Sequence, residues 1–391
     1  MKIKVILCAL LLSTSMQAFA DDNLEVQDNN KQYVFEFAGD TNHQTAFTGA
    51  DWTMSLIEGY RVLDDKIAPG EDSPLMNALM VIPRIMITDY ATTLQHEVFG
   101  HGARIRDIGN GWKVHSYTLG LDGSGSTSYR LNLNSPPQDK VSVRIAGIQA
   151  TEVLGNKIKD RMIDSEKINP VYGAAYLMSA GDQLMYTYLT DYKGKGHDVQ
   201  NYITDMNGIY GKNYLTKSKM KSRTALSLFD PFLYFSAYAL VTGQDFEFPM
   251  IQLGDWKYLP AFRSVWTPYG TENKWLNLFK APSTPMQLNL WQGKNKRGNS
   301  WGAEAIVDRI YSHENIDVGF NVATWKQPKM FVSKPLQAPK KQGYSGEGNL
   351  KLNLNETSAI YTAIGYKSAG FRVGYPMRAG MLFRMGLAFK F

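Results

Sequence analysis

The spacing of apolar residues changes twice along the chain. Residues 21–72 are mixed, but Lys31 to Ala38 alternates cleanly, with Tyr33, Phe35 and Phe37 on one face, which predicts a strand. Residues 73–242 read mostly helical. Ser73-Pro74 is a helix start signal, Pro83 interrupts the first stretch, and a second runs from Arg84 to about Gly102 with a stripe at Ile87, Ala91, Leu94 and Val98. Val114–Leu119 and Thr127–Arg130 flank a Gly-Ser-Gly turn and predict a hairpin. Ser135-Pro136-Pro137 opens a further helix running through Glu152 to Met162, and Val171–Leu189 and Leu226–Val241 supply more helical segments.

From 243 to 391 the period becomes two. Met286, Leu288 and Leu290 alternate with Gln287 and Asn289; Ile316, Val318, Phe320 and Val322 alternate with polar or small residues; Leu350, Leu352 and Leu354 alternate with Lys351, Asn353 and Asn355. Ser358–Tyr366 is a further strand. In Met381–Phe391 (MLFRMGLAFKF), Phe383, Met385, Leu387, Phe389 and Phe391 share one face. This ending resembles the C-terminal signature of bacterial outer-membrane β-barrel proteins, and short dyad segments separated by turns are the wider signature of that class. A barrel in lipid must close, and the strand at Lys31–Ala38 is placed to pair with the last one. The expected fold class is therefore α+β: a helical region inserted in, or packed against, an antiparallel sheet of outer-membrane barrel type.

Composition narrows the compartment and the chemistry. Lys2 and Lys4, an apolar run from Val5 to Leu12, and Ala18-Phe19-Ala20 read as a secretory signal over residues 1–20. The single cysteine, Cys8, lies within it, so a mature chain has no thiol, and any metal must be held by His, Asp or Glu. A mean hydropathy of −0.29 and the lack of long apolar runs exclude a polytopic helical membrane protein. The net charge is +6, or +4 once Lys2 and Lys4 leave. That is too diffuse for nucleic acid. The barrel-like ending implies outer-membrane lipid as a partner, and a peptide or protein substrate is an expectation only of the protease resemblance that follows.

The chemistry concentrates in Gln95-His96-Glu97-Val98-Phe99-Gly100-His101-Gly102. Zinc proteases commonly use H-E-x-x-H, with histidines at i and i+4. Here the spacing is i and i+5, which on an ideal α-helix separates the rings by about 140°. One extra residue in the turn, as in a π-bulge, restores a shared face; alternatively the helix ends at Gly100 and Gly102 helps redirect His101. The segment resembles the H-E-x-x-x-H motif of the modulator-of-DNA-gyrase (TldD-like) metalloproteases. That resemblance implies that His96 and His101 bind Zn²⁺ and that Glu97 is the general base toward the attacking water.

A third ligand is expected from Glu152, set in an apolar helix between Gly147 and Gly155 and resembling the second-helix glutamate of zincins. His115, Asp160, Asp182 and Asp230 are weaker candidates. The leading expectation is an exported zinc metallohydrolase, a peptidase, in the outer membrane. The alternatives are a non-enzymatic barrel with a helical plug and a structural or relic metal site, or a soluble periplasmic α+β enzyme.

Overall fold

The computed structural model describes residues 32–42, 44–68, 74–120, 122–190, 197–282, 284–333, 336 and 342–391. The leader and Cys8 lie outside them. In chain order the elements are β1 (Val34–Asp40), α1 (Ala46–Ile67), α2 (Pro74–Leu94), a π-helical turn (Gln95–His101), α3 (Gly102–Ile108), β2 (Lys113–Leu119), β3 (Gly125–Arg130), α4 (Pro137–Arg144), α5 (Ala146–Ser165), β4 (Lys167–Ile168), α6 (Pro170–Ala180), α7 (Asp182–Tyr188), α8 (Asp198–Tyr210), α9 (Lys217–Thr224) and α10 (Pro231–Thr242). The strands β5 (Phe246–Glu247), β6 (Ile251–Leu253), β7 (Trp256–Thr267), β8 (Gly270–Lys280), β9 (Pro285–Asn295), β10 (Gly298–His313), β11 (Ile316–Lys326), β12 (Gln342–Asn353), β13 (Ser358–Lys367) and β14 (Gly380–Lys390) follow.

Local chemistry explains the helix ends. Asp230 caps α10 by accepting from Phe232 N, Pro231 occupies the first turn, and Gly243 ends the helix at a φ of +70°. Where sequence spacing suggested longer helices, short breaks divide them: Ile145 separates α4 from α5, Gly181 separates α6 from α7, and Asp230 precedes α10. Pro83 does the opposite. The helix runs through it, because burial of Met80, Arg84 and Thr88 on its inner face outweighs the lost hydrogen bond.

The main sheet has ten antiparallel strands among the described residues, in the order β1-β14-β13-β12-β11-β10-β9-β8-β7-β6. The expected pairing of the first and last strands occurs: Phe35 faces Phe389 and Phe37 faces Leu387. Among the described residues it does not close the sheet, because β1 is one edge and β6 the other. The free side of β1 is met by α1 instead. Ser55 Oγ receives Glu36 N at 2.7 Å and donates to Glu36 O at 2.7 Å, while Trp52 Nε1 donates to Ala38 O at 2.8 Å.

Along β9 to β14 the sheet's polarity is reversed from that of a soluble protein, whereas β7 and β8 bury Leu259, Ala261, Leu276 and Leu278 among the helices. On β9, Leu288 and Leu290 are exposed while Gln287 and Asn289 are buried. On β14, Met381, Phe383, Met385 and Leu387 are exposed, and Leu382, Gly386 and Ala388 are turned inward. Leu350 and Leu352 on β12 are exposed likewise. Gln287, Asn289 and Glu304 from the inner face, with Arg372 of the segment between β13 and β14, line a cavity of about 280 Å³ together with Asp51, Lys157 and Asp160 of the helices. The ionic groups there pair with one another, as Arg372 does with Glu304 and Lys157 with Asp51.

Candidate metal centre

The His-Glu-x-x-x-His segment forms a π-helical turn rather than ending the helix at Gly100. The wider turn brings His96 and His101 onto one face, with ring centroids 4.9 Å apart. Both rings are buried. Glycines make the site possible. Gly100 lies against α5, where a Cβ would come within 2.6 Å of Gly147 Cα, and a Cβ on Gly147 would overlap the His96 ring. The close approach expected of Gly147 is therefore present, whereas Gly155 packs against Ala180 of α6.

Each ring is held by its Nδ1. His101 Nδ1 lies 2.7 Å from Val143 O, and His96 Nδ1 lies 3.1 Å from Asp182 Oδ2. Asp182 in turn accepts from Thr151 Oγ1 at 2.9 Å. Tyr186 stacks on His96 at 5.6 Å. The two Nε2 atoms converge on one oxygen, Asp198 Oδ2, at 3.2 Å from His96 and 3.1 Å from His101.

This geometry constrains protons. A carbonyl only accepts, so His101 Nδ1 must carry hydrogen. In a neutral ring Nε2 then presents a lone pair to a carboxylate oxygen, which is repulsive. Either a second proton or a cation resolves the conflict. Without a cation, protons do so. Burial disfavours charge on His96, but hydrogen bonds to Asp182 and Asp198 outweigh it and hold the ring well above its usual 6.5. His101 is likewise buried yet raised, chiefly by Asp198. Burial would raise Asp198, but the two rings outweigh it and hold its carboxyl well below the ordinary range.

His96, His101 and Asp198 form a three-residue group of potential ligand atoms. Two nitrogens and a carboxylate oxygen suit Zn²⁺, with a position left open in a tetrahedral set. The expected ligand Glu152 is not in this group. It sits five residues beyond Gly147, about 140° around α5, and its charge acts on Arg263 of β7 instead. Glu97 is buried in the same turn, and its Oε2 accepts from Thr127 Oγ1 at 2.5 Å. The predicted hairpin, β2–β3, thus covers the motif.

The weaker candidates are dispersed. His115 is the bulged, exposed residue of β2. Asp160 accepts from Gln287 Nε2, and Asp230 holds Tyr176, Arg263 and the start of α10. Asp182 supports His96 from behind rather than facing the shared point. Sequence reasoning missed Asp198 and the helix that carries it. One signal was present: Asp198 heads the stripe Asp198, Tyr202, Met206 at helical spacing, an acid in line with two fully buried side chains.

No protein-family model matches this chain, and no curated protein matches it. Among solved structures, the NanC porin is similar with a TM-score of 0.27 and 13% identity, over 36% of this chain and 76% of the porin.

Proposed function

We propose that this chain is an outer-membrane β-barrel protein whose helical segment carries a buried zinc centre on His96, His101 and Asp198. The reversed polarity of the sheet carries the membrane reading. A soluble sheet buries its apolar face, whereas Leu288, Leu350, Phe383 and Met385 lie on the outside and Gln287, Asn289 and Glu304 within. Leaving such stripes in water would cost about 25 cal/mol for each Å² that lipid would otherwise cover. The exposed stripes of β9 to β14 speak against a soluble periplasmic enzyme, even though β7 and β8 pack Leu259, Ala261, Leu276 and Leu278 on the helices.

The centre is supported by the two Nε2 atoms turned toward one carboxylate oxygen while each Nδ1 is engaged elsewhere. The expected results are recovery in the outer-membrane fraction, faster gel migration before boiling than after, and about one zinc per chain that is lost in His96→Ala. Recovery as a soluble, heat-insensitive protein would remove the membrane reading. A protein that takes up no zinc would remove the centre.

A second reading, hydrolysis, rests on Glu97, whose carboxylate lies in the same turn as both histidines and is fixed by Thr127. Zinc in such a set polarises a carbonyl and acidifies water. Glu97 would take the proton, and the hairpin β2–β3 would offer an extended edge to a peptide. Glu97→Gln is expected to keep zinc and lose peptide hydrolysis. Hydrolysis at the wild-type rate in that variant would exclude Glu97 as the base.

A further inference from the structure

We infer that the open side of the sheet is walled by helices, with α2 and α10 meeting the acyl chains of the bilayer directly. This rests on the membrane reading proposed above. A strand edge in lipid needs partners for its N–H and C=O groups, and usually only another strand supplies them. Here Ser55 and Trp52 of α1 satisfy Glu36 N, Glu36 O and Ala38 O on the free side of β1. That edge therefore needs no closing strand where the helix covers it.

From α1 the packing continues. Helix α1 contacts α2, α2 contacts α10, and α10 contacts β5, which precedes the other edge at β6. Gly243, at the end of α10, lies directly against the side chain of Asn77 on α2.

The outer faces of these helices show the same reversal as the strands. On α2 the exposed residues are Pro74, Leu75, Ala78, Leu79, Ile82, Met86, Ile87 and Tyr90, with Leu75 72% and Ile82 66% exposed. None is charged. The charges of α2 point elsewhere. Arg84 is buried against Asp64 of α1, with Nε at 2.9 Å from Oδ1 and Nη2 at 2.8 Å from Oδ2, and Asp89 lies under the hairpin turn at Gly123. On α10, Tyr234, Tyr238 and Val241 are exposed, and no charged residue occurs from Pro231 to Thr242.

A helix facing water has its polar side out. One that buries an ion pair and exposes leucine and isoleucine has the polarity of a lipid-facing wall. The exposed Ile251 and Leu253 of β6 continue this surface onto the sheet. Lipid is the occupant this continuity selects, because the strands beside the helices present the same apolar exterior.

The test uses the full chain with Cys8→Ser, reconstituted in phosphatidylcholine vesicles. A fluorophore is placed at Ile82→Cys, Tyr238→Cys or, as the strand reference, Met385→Cys. All three labels are expected to lose most of their emission to lipids brominated on the acyl chain and little to aqueous iodide. If Met385 is quenched by bromolipid but Ile82 and Tyr238 by iodide, the helical wall is wrong and the strand reading stands. If Met385 is also quenched by iodide, both fall. If the helix labels escape both quenchers while Met385 meets lipid, another protein copy covers the helices and the lipid assignment is overturned.

Discussion

Asp198→Ala is expected to lower zinc affinity by more than about 100-fold, because it removes a direct ligand and even losing a supporting partner typically costs about 10–100-fold. Competition with a chelating dye measures this directly. Unchanged affinity would mean that Asp198 is only an ion-pair partner of two charged rings.

The pH dependence separates those roles. In the zinc-free protein, His96 and His101 are raised above 6.5. The stability they contribute is complete below about 6.5 and is lost as pH rises through their higher folded values. Asp198 is lowered from 3.8, so its contribution is complete above that value and is lost as pH falls through the lower folded one. Zinc-free protein is therefore expected to lose melting temperature on the alkaline side.

Zinc reverses the sign, since both Nε2 atoms must shed protons to bind it. The melting shift caused by zinc should grow as pH rises from mildly acidic to mildly alkaline. In Asp198→Ala both trends should flatten: the zinc shift disappears and the alkaline decline of the zinc-free protein shrinks. A zinc shift that persists in the variant with its pH slope intact would exclude the centre as drawn.

Much of this arrangement was legible in the residue pattern, for reasons that differ by element. Strand pairing of Lys31–Ala38 with the C-terminus followed from two alternating segments at opposite ends of the chain, and β1 and β14 do pair. The i, i+5 histidines could share a face through a π-turn or through a helix end at Gly100, and the π-turn is present. The turn follows from a local rule; the pairing followed from the expectation that a barrel closes.

What was not legible depends on rotation and distance. Glu152 looked right because an acid in an apolar helix wants a cation, but its helix presents Gly147, not Glu152, to the histidines. Asp198 lies about a hundred residues beyond the motif, on a helix whose polar residues at 201, 204, 205 and 207 mask its buried stripe. Strands β7 and β8 were missed because inward-facing residues there include apolar side chains such as Leu259, Val265 and Leu276, which blur the alternation. Alternation alone states that two faces differ but not which one is buried; the outward apolar face was implied only by the resemblance of the C-terminal strand to outer-membrane barrels.

Gly147→Ala is expected to remove zinc while leaving both histidines and Asp198 in the chain. A Cβ at this position would occupy the space of the His96 imidazole. The ring cannot yield by a small turn, because Asp182 holds its Nδ1, Tyr186 covers its face and Asp198 faces its Nε2. Displacing it breaks the shared point with His101. The backbone cannot yield either, since Gly100 already approaches Gly147 so closely that neither residue has room for a side chain.

Overpacking of this kind costs about 1–3 kcal/mol, which a folded protein of this size tolerates, so the variant should still reach the membrane. Gly155→Ala is the matched control. It adds the same methyl to the same helix, but against Ala180, at 3.1 Å. It should lose some stability and keep its zinc. Equal zinc affinity in Gly147→Ala and wild type would show that the His96 ring does not need the position it holds, and with it the argument that α5 is shaped around this ring would fail.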